Sequence, residues 1–390
     1  MTALTASLFF ASRLFMQEVD TVRSPTVERD EIDRHESLFD QIQTESDDLQ
    51  LIDELTWRQE HPFDLNSISQ EELESLPGVT PAEASSFISF RRHAGRFVSV
   101  EQLRVIEGVG EGLYEKIKPF VEVSGGARGM GIELRSRTSR DLQPRRGFLD
   151  SSFIGSSVKS YNRLLLEAGE VQVGAVFEKD GGERFSDGFV SGYAAVKDLG
   201  FVSHVVVGDF TADAGQGLVL WRSSAFGKGS EAVSVAKKTG LGIRPYRSTD
   251  EFNFLRGVAA SSALDLLDGN LAVTAFFSRR SLAGSTDITD ALMGLYEEGF
   301  FRTQNELQKQ KAVTEQLFGG RIQFAAAGGW SIGATAYHSR FDKPFLSDRV
   351  FEFSGQTATV AGVDGGVQFE RLTLFGEVAN SGAGAVAGLA

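Results

Sequence analysis

The chain has 390 residues, 41% of them hydrophobic, a formal net charge of −14 and no cysteine. That apolar share is enough to build a core and excludes global disorder. The missing cysteines exclude a disulfide framework and any Cys-based metal site, and the acidic balance argues against a large nucleic-acid footprint, because phosphate binding wants a basic surface.

Length permits two or three domains. Gly (43) and Phe (31) are plentiful while Pro (8) is scarce, a mix that suits many short strands and turns better than a helical protein. Residues 1–17, "MTALTASLFFASRLFMQ", hold a short apolar stretch with small residues near Ala11 and Ser12. It has the look of a secretory segment without a positive leader, or of a frayed apolar N-terminus. No run of 18 apolar residues occurs, so no transmembrane helix is predicted. Residues 18–60 are acidic, with Leu38, Ile42, Leu49, Ile52 and Leu55 loosely at helical spacing. That reads as amphipathic helix or as a solvated acidic linker.

Residues 61–123 contain one plan twice. "LPGVTPAEASSFISF" (76–90) and "IEGVGEGLYEKIKPF" (106–120) place Gly78 and Gly108 30 residues apart. In each copy an apolar residue, a Gly-Val turn and a helix-like run follow a first short helix. Asn66 or Ser67 is suited to cap the first of these helices, and Ser99 its counterpart in the second copy. Gly at the turn allows a backbone conformation that a side chain opposes. Pro81 fits the first turn of the next helix. One copy cannot bury its apolar face alone. Two can pack through Leu73, Leu76, Ile88, Leu103, Ile106, Leu113 and Ile117, which explains the duplication.

Residues 124–150 are rich in Gly and Arg and read as a linker leading into a first strand. From 151 to 390 the period becomes two. Val171, Val173, Ala175 and Phe177 alternate with Gln172, Gly174 and Glu178. Leu271, Val273, Ala275 and Phe277 alternate with Asn270, Ala272 and Thr274, and Leu372, Leu374 and Val378 with Thr373, Phe375 and Glu377. Segments of about ten residues separated by turn residues suit an outer-membrane-type β-barrel. A soluble sandwich alternates similarly, usually with shorter strands. Residues 293–320 break the pattern and read as a long loop carrying a short helix. The end, "NSGAGAVAGLA", stops mid-pattern, which reads as a fragment of a barrel.

The order "DLN…ELESLPGV…I…R…GRF…S…L…IEGVG…L…IKPF" resembles the tandem helix-hairpin-helix domain of competence-type DNA receptors. With "VVVGDFTADAGQGLVLWRSSAFGKG", "GIRPYRSTDEFNFLRGVAA", "ATAYHSRFDKP" and "LFGEVA", residues 50–390 resemble the helix-hairpin-helix proteins of Bacteroidota-like bacteria. The resemblance implies an α+β chain: a periplasmic tandem helix-hairpin-helix followed by an antiparallel outer-membrane β-barrel. In DNA-binding hairpins, backbone N–H groups of the turn hold a phosphate. Carried over, that role falls on Gly78, Val79, Thr80, Gly108, Val109 and Gly110, with Lys116 and Lys118 as the nearest cations.

Two departures stand against it. Thr80 replaces the second Gly of the first hairpin, and Glu83 and Glu111 stand where cations are expected. Residues 61–123 carry six Lys and Arg against ten Asp and Glu, a net of −4. The implied partners are therefore DNA, or a periplasmic protein docked on the same surface, with outer-membrane lipid around the barrel. The five His show no metal-ligand spacing. Asp209, Asp213 and Gln216 read as lumen lining or turn, and no nucleophile–base pair supports an enzyme. No cofactor or metal is expected.

Overall fold

The computed structural model describes residues 62–66, 68, 72–73, 76, 79, 81–106, 108–123, 130–222, 238, 240–266, 269–326, 329–347, 352–369, 372–381 and 386–389. The expectations for residues 1–17 and 18–60 lie outside these residues, as do those for Ser67, Gly78 and Thr80.

Residues 62–123 form a helical unit around a core of their own. Strand β1 (Phe63–Asp64) pairs in parallel with β2 (Val121–Glu122), so the unit begins and ends at one place. Between them lie helix α1 (Pro81–Ala94), a 3-10 helix (Val100–Val105), helix α2 (Glu111–Ile117) and a last 3-10 turn (Lys118–Phe120). The two copies superpose in their bonding. Leu76 N–H donates to the Leu73 carbonyl and Val79 N–H to that of Leu76; thirty residues on, Ile106 donates to Leu103 and Val109 to Ile106. The buried positions repeat at the same interval: Leu73 and Leu103, Leu76 and Ile106, Ala84 and Tyr114, Phe87 and Ile117. Ile88 and Leu113 pack against this core half-buried. The Asn66 side chain donates to the Phe97 carbonyl (3.1 Å) and accepts from the Phe97 N–H (2.7 Å), clamping the start of one copy to the start of the other.

The rest of the described chain is one mostly antiparallel sheet of 15 strands. In chain order they are β3 (Met130–Arg140), β4 (Val158–Ala168), β5 (Val171–Lys179), β6 (Phe189–Leu199), β7 (Val202–Asp213), β8 (Gly242–Pro245), β9 (Leu255–Leu266), β10 (Gly269–Leu282), β11 (Gly284–Thr286), β12 (Leu292–Leu295), β13 (Val313–Ala326), β14 (Trp330–Phe345), β15 (Gly355–Phe369), β16 (Leu372–Ser381) and β17 (Val386–Leu389). Apart from β8, β11 and β12, each strand pairs with the next in sequence, from β3 to β17. Among the described residues the sheet is open, with β3 and β17 as its edges.

Two boundaries differ from the sequence reading. The first long strand lies inside the stretch 124–150 read as linker, because Gly and Arg obscured its alternation. Within 293–320, helix α3 (Gln304–Lys309) is present, but β12 precedes it and β13 already starts at Val313.

The two faces of the sheet have opposite chemistry, and the apolar one is outside. Val171, Val173, Val273, Phe277, Leu372, Leu374 and Val378 are each more than 40% exposed. The other face is concave enough that residues of β4, β6, β7, β9, β10, β13 and β16 share one core. Charged groups lie among them in pairs. Arg280 holds Glu315 (3.1 Å) and Arg321 holds Asp364 on this face, whereas Arg256 holds Asp209 through two bonds (2.6 and 2.8 Å) on the face that carries Val207 and Val258. Glu377 on β16 accepts three backbone N–H groups, from Gln216 (2.7 Å), Leu218 (3.0 Å) and Val219 (3.3 Å), in the segment that follows β7. That segment is thereby folded onto the inner face.

Connections are unequal at the two ends. At the end where β3 begins, strands are joined by two or three residues: 169–170, 200–201, 267–268, 327–329 and 370–371. At the other end the connections are 141–157, 180–188, 214–254, 283–312 and 346–354, with a short one, 382–385, before β17. Three of these long connections bind each other. Ile154 N–H donates to the Arg302 carbonyl, Gly155 N–H to that of Gly182 and Phe301 N–H to the Glu183 carboxylate, all at 2.8 Å. A Cβ on Gly155 would lie 1.7 Å from the Glu183 carbonyl oxygen, so only glycine fits there.

Burial pushes the Glu183 carboxyl up to about 7, and burial with repulsion from Glu183 pushes Glu251 up to about 9. Both acids bind their protons more tightly folded than unfolded. Their stabilising contribution is complete below the ordinary carboxylate range and is lost as pH rises through about 7 and then about 9. The urea midpoint is expected to fall between about pH 5 and pH 9. The fall should shrink in Glu251→Gln, measured by denaturant titration at both pH values.

Candidate nucleic-acid interface

The second hairpin is described throughout its turn except at position 107. Its backbone reverses at Gly108, whose φ of +92° is a left-handed value that side chains oppose. Val109 follows and is buried at 6% exposure, so it anchors the turn rather than offering a side chain. Gly110 is extended (φ −77°, ψ 166°), precedes α2, and accepts the Leu113 and Tyr114 N–H groups at 3.0 Å. Nothing lies within 4 Å of where a Cβ on Gly110 or Gly112 would project. Gly110 and Gly112 thus make an open surface, whereas a Cβ on Gly108 would lie 3.5 Å from Cγ of the Glu83 side chain.

Of the first hairpin, Val79 is described. It is buried like Val109, and its N–H closes the equivalent turn. The two valines serve the core at matching places.

The charges around the second turn are arranged in a way the sequence does not announce. Arg104, on the helix before the turn, reaches across it to the first residue of α2. Its Nε and Nη2 donate to the two carboxylate oxygens of Glu111 at 3.0 and 2.6 Å. The guanidinium also lies 3.9 Å from the centre of the buried Tyr114 ring. Hydrogen bonding to Arg104 holds the Glu111 carboxyl below its ordinary value. The carboxylate facing the turn is therefore already neutralised, by a cation from the preceding helix rather than the following one. Lys118 Nζ lies 5.5 Å from the other reach of the same ring, and Lys116 is exposed on α2. Arg104 was missed because it precedes the glycines, and the search for a cation ran forward from them. The fork spacing of Arg104 and Glu111, seven residues apart across a turn, is the signal that was there to find.

The geometry is that of a paired helix-hairpin-helix module, and comparison agrees. Residues 58–122 match the helix-hairpin-helix motif. Over 59 residues, 15% of this chain, the sequence is 37% identical to ComE operon protein 1 of Bacillus subtilis (strain 168). Over 62 residues, 16% of this chain, it is 42% identical to the endonuclease/exonuclease/phosphatase family domain-containing protein 1 of Homo sapiens and of Mus musculus. The matched segment spans 29% of the first relative and 11% of the others, so the likeness is one of a module.

Because one core serves both copies, a charge placed in it should unfold both. Ile106→Asp buries an uncompensated carboxylate at a cost on the order of several kcal/mol. The isolated fragment 58–123 is expected to be helical by circular dichroism and its Ile106→Asp variant unfolded in the same buffer.

Proposed function

We propose that the helix-hairpin-helix module binds DNA, and that it does so beside a membrane-spanning β-barrel in a bacterial envelope, as in uptake. The observation that carries the first part is the open surface at Gly110 and Gly112, next to the Gly108 turn, within a segment matching the helix-hairpin-helix motif. Phosphate oxygens approach a backbone most closely where no side chain intervenes. Arg104 lies beside that turn with Glu111 as its exchangeable partner. A phosphate can compete for the same guanidinium fork. Lys116 and Lys118 add charge on the following turn.

The barrel reading is supported by the apolar outer face, the ion-paired inner face and strands of nine to sixteen residues in the main meander, with β17 shorter. Outer-membrane barrels have short turns on the periplasmic side and longer loops outside. Seven residues after Val123 the chain enters β3, at the end where connections are short. That order supports a module on the periplasmic side of an outer membrane.

A second reading, docking of a periplasmic protein on the same turn, is favoured by the excess of acidic residues in 61–123. The two are separated by fluorescence anisotropy of fragment 58–123 with duplex DNA at two salt concentrations. DNA binding predicts saturable binding that weakens steeply with salt, as counterion release requires. Gly110→Glu should abolish it with helicity unchanged, because the position is open. No binding at low salt, or unchanged affinity in Gly110→Glu, selects docking.

A further inference from the structure

The outer face of β10, β13, β14 and β15 is ordered in rows that the strand register defines. Phe277, Phe318, His338 and Thr359 lie side by side. Next toward the short connections come Ala275, Gly320, Ala336 and Ala361, and then Val273, Ile322, Ala334 and Val363. The small residues of the middle row leave an apolar groove of about 670 Å³, walled by Ile322, Val363 and Val378. Above the aromatic row, toward the long connections, the face changes character at once: Arg279, Gln316, Arg340 and Thr357 form the next row.

Arg279 and Arg340 are exposed, and among the described residues neither enters an ion pair. This separates them from Arg256, Arg280 and Arg321, which hold carboxylates. Asp342, two residues beyond Arg340, accepts the Thr314 N–H at 2.8 Å. With one strand between them, the two arginines stand about 9–10 Å apart at their backbones, close enough for both tips to meet one headgroup. The groove begins about 13 Å below them along β14, four residues at ~3.3 Å each.

We propose that this surface is a binding site for an anionic phospholipid: the headgroup on Arg279 and Arg340, an acyl chain passing the Phe318–His338 pair into the groove at Ala336. The site rests on the membrane reading above. Charge complementarity sets the headgroup, since two unpaired cations end an otherwise apolar face. The groove requires that the anion carry a chain, which inorganic phosphate does not.

The test uses the full chain in zwitterionic micelles, with native mass spectrometry reading the ratio of bound dioleoyl phosphatidate to bound dioleoyl phosphatidylcholine. A preference of roughly thirtyfold for phosphatidate is expected from two interfacial cations. It should vanish in the double variant Arg279→Gln, Arg340→Gln. Ala336→Phe, which fills the groove, should lower retention of both lipids. An undiminished preference in the double variant overturns the site, as does displacement of phosphatidate by an equal concentration of inorganic phosphate. A chain that stays monomeric and soluble without micelles sinks the membrane reading and the site with it, whereas a chain that enters micelles but ignores the headgroup sinks the site alone.

Discussion

A β-strand shows its two faces one residue apart, so a sheet must decide which face meets solvent, and here it is the apolar one. Everything else in the sheet follows from that inversion. The polar side chains are turned inward, where unpaired charge is costly. They are satisfied by one another: Arg280 with Glu315 and Arg321 with Asp364. Glu377 is held by three backbone N–H groups of the segment 216–219. Pairs of this kind stabilise little over an apolar core of equal shape, yet losing one partner is expensive. They act as a register lock, since slipping one strand by one residue would put every charge on the apolar face.

The helical module obeys the opposite rule. Its apolar residues are inside, its charges outside, and its core is closed by the β1–β2 pairing of its own ends. A module with its apolar residues inside thus precedes a sheet with its apolar residues outside. Their join at the short-connection end gives the chain a direction that neither part has alone.

Much of this was legible in the sequence, for a physical reason. Period-two alternation survives burial in either direction, so Val171, Val173, Leu372 and Leu374 were assigned a common face correctly before any coordinate. The thirty-residue offset of Gly78 and Gly108 likewise announced two hairpins with one core. What could not be read were contacts between residues distant in sequence. Glu377 and Gln216 are 161 positions apart. Asn66, suited to cap a helix, also binds Phe97, 31 positions away. Gln172 was rightly placed on the inner face, but nothing local shows that it accepts from Arg247 at 2.7 Å. Strand β3 was hidden because Arg135, Arg137 and Arg140 imitate a basic linker, and only pairing with β4 reveals their alternation.

The central claim is that the apolar outer face meets lipid. The direct measurement is heat-modifiable gel migration and liposome association of the full chain after refolding into lipid, for Val173→Arg and Thr373→Arg side by side. Val173 is on the outer face and Thr373 on the inner. The account predicts that Val173→Arg blocks assembly, at a cost of roughly 2–4 kcal/mol near the bilayer midplane, and that Thr373→Arg assembles like the parent. Equal behaviour of the two variants, or a parent chain that remains monomeric in buffer without lipid or detergent, would contradict it.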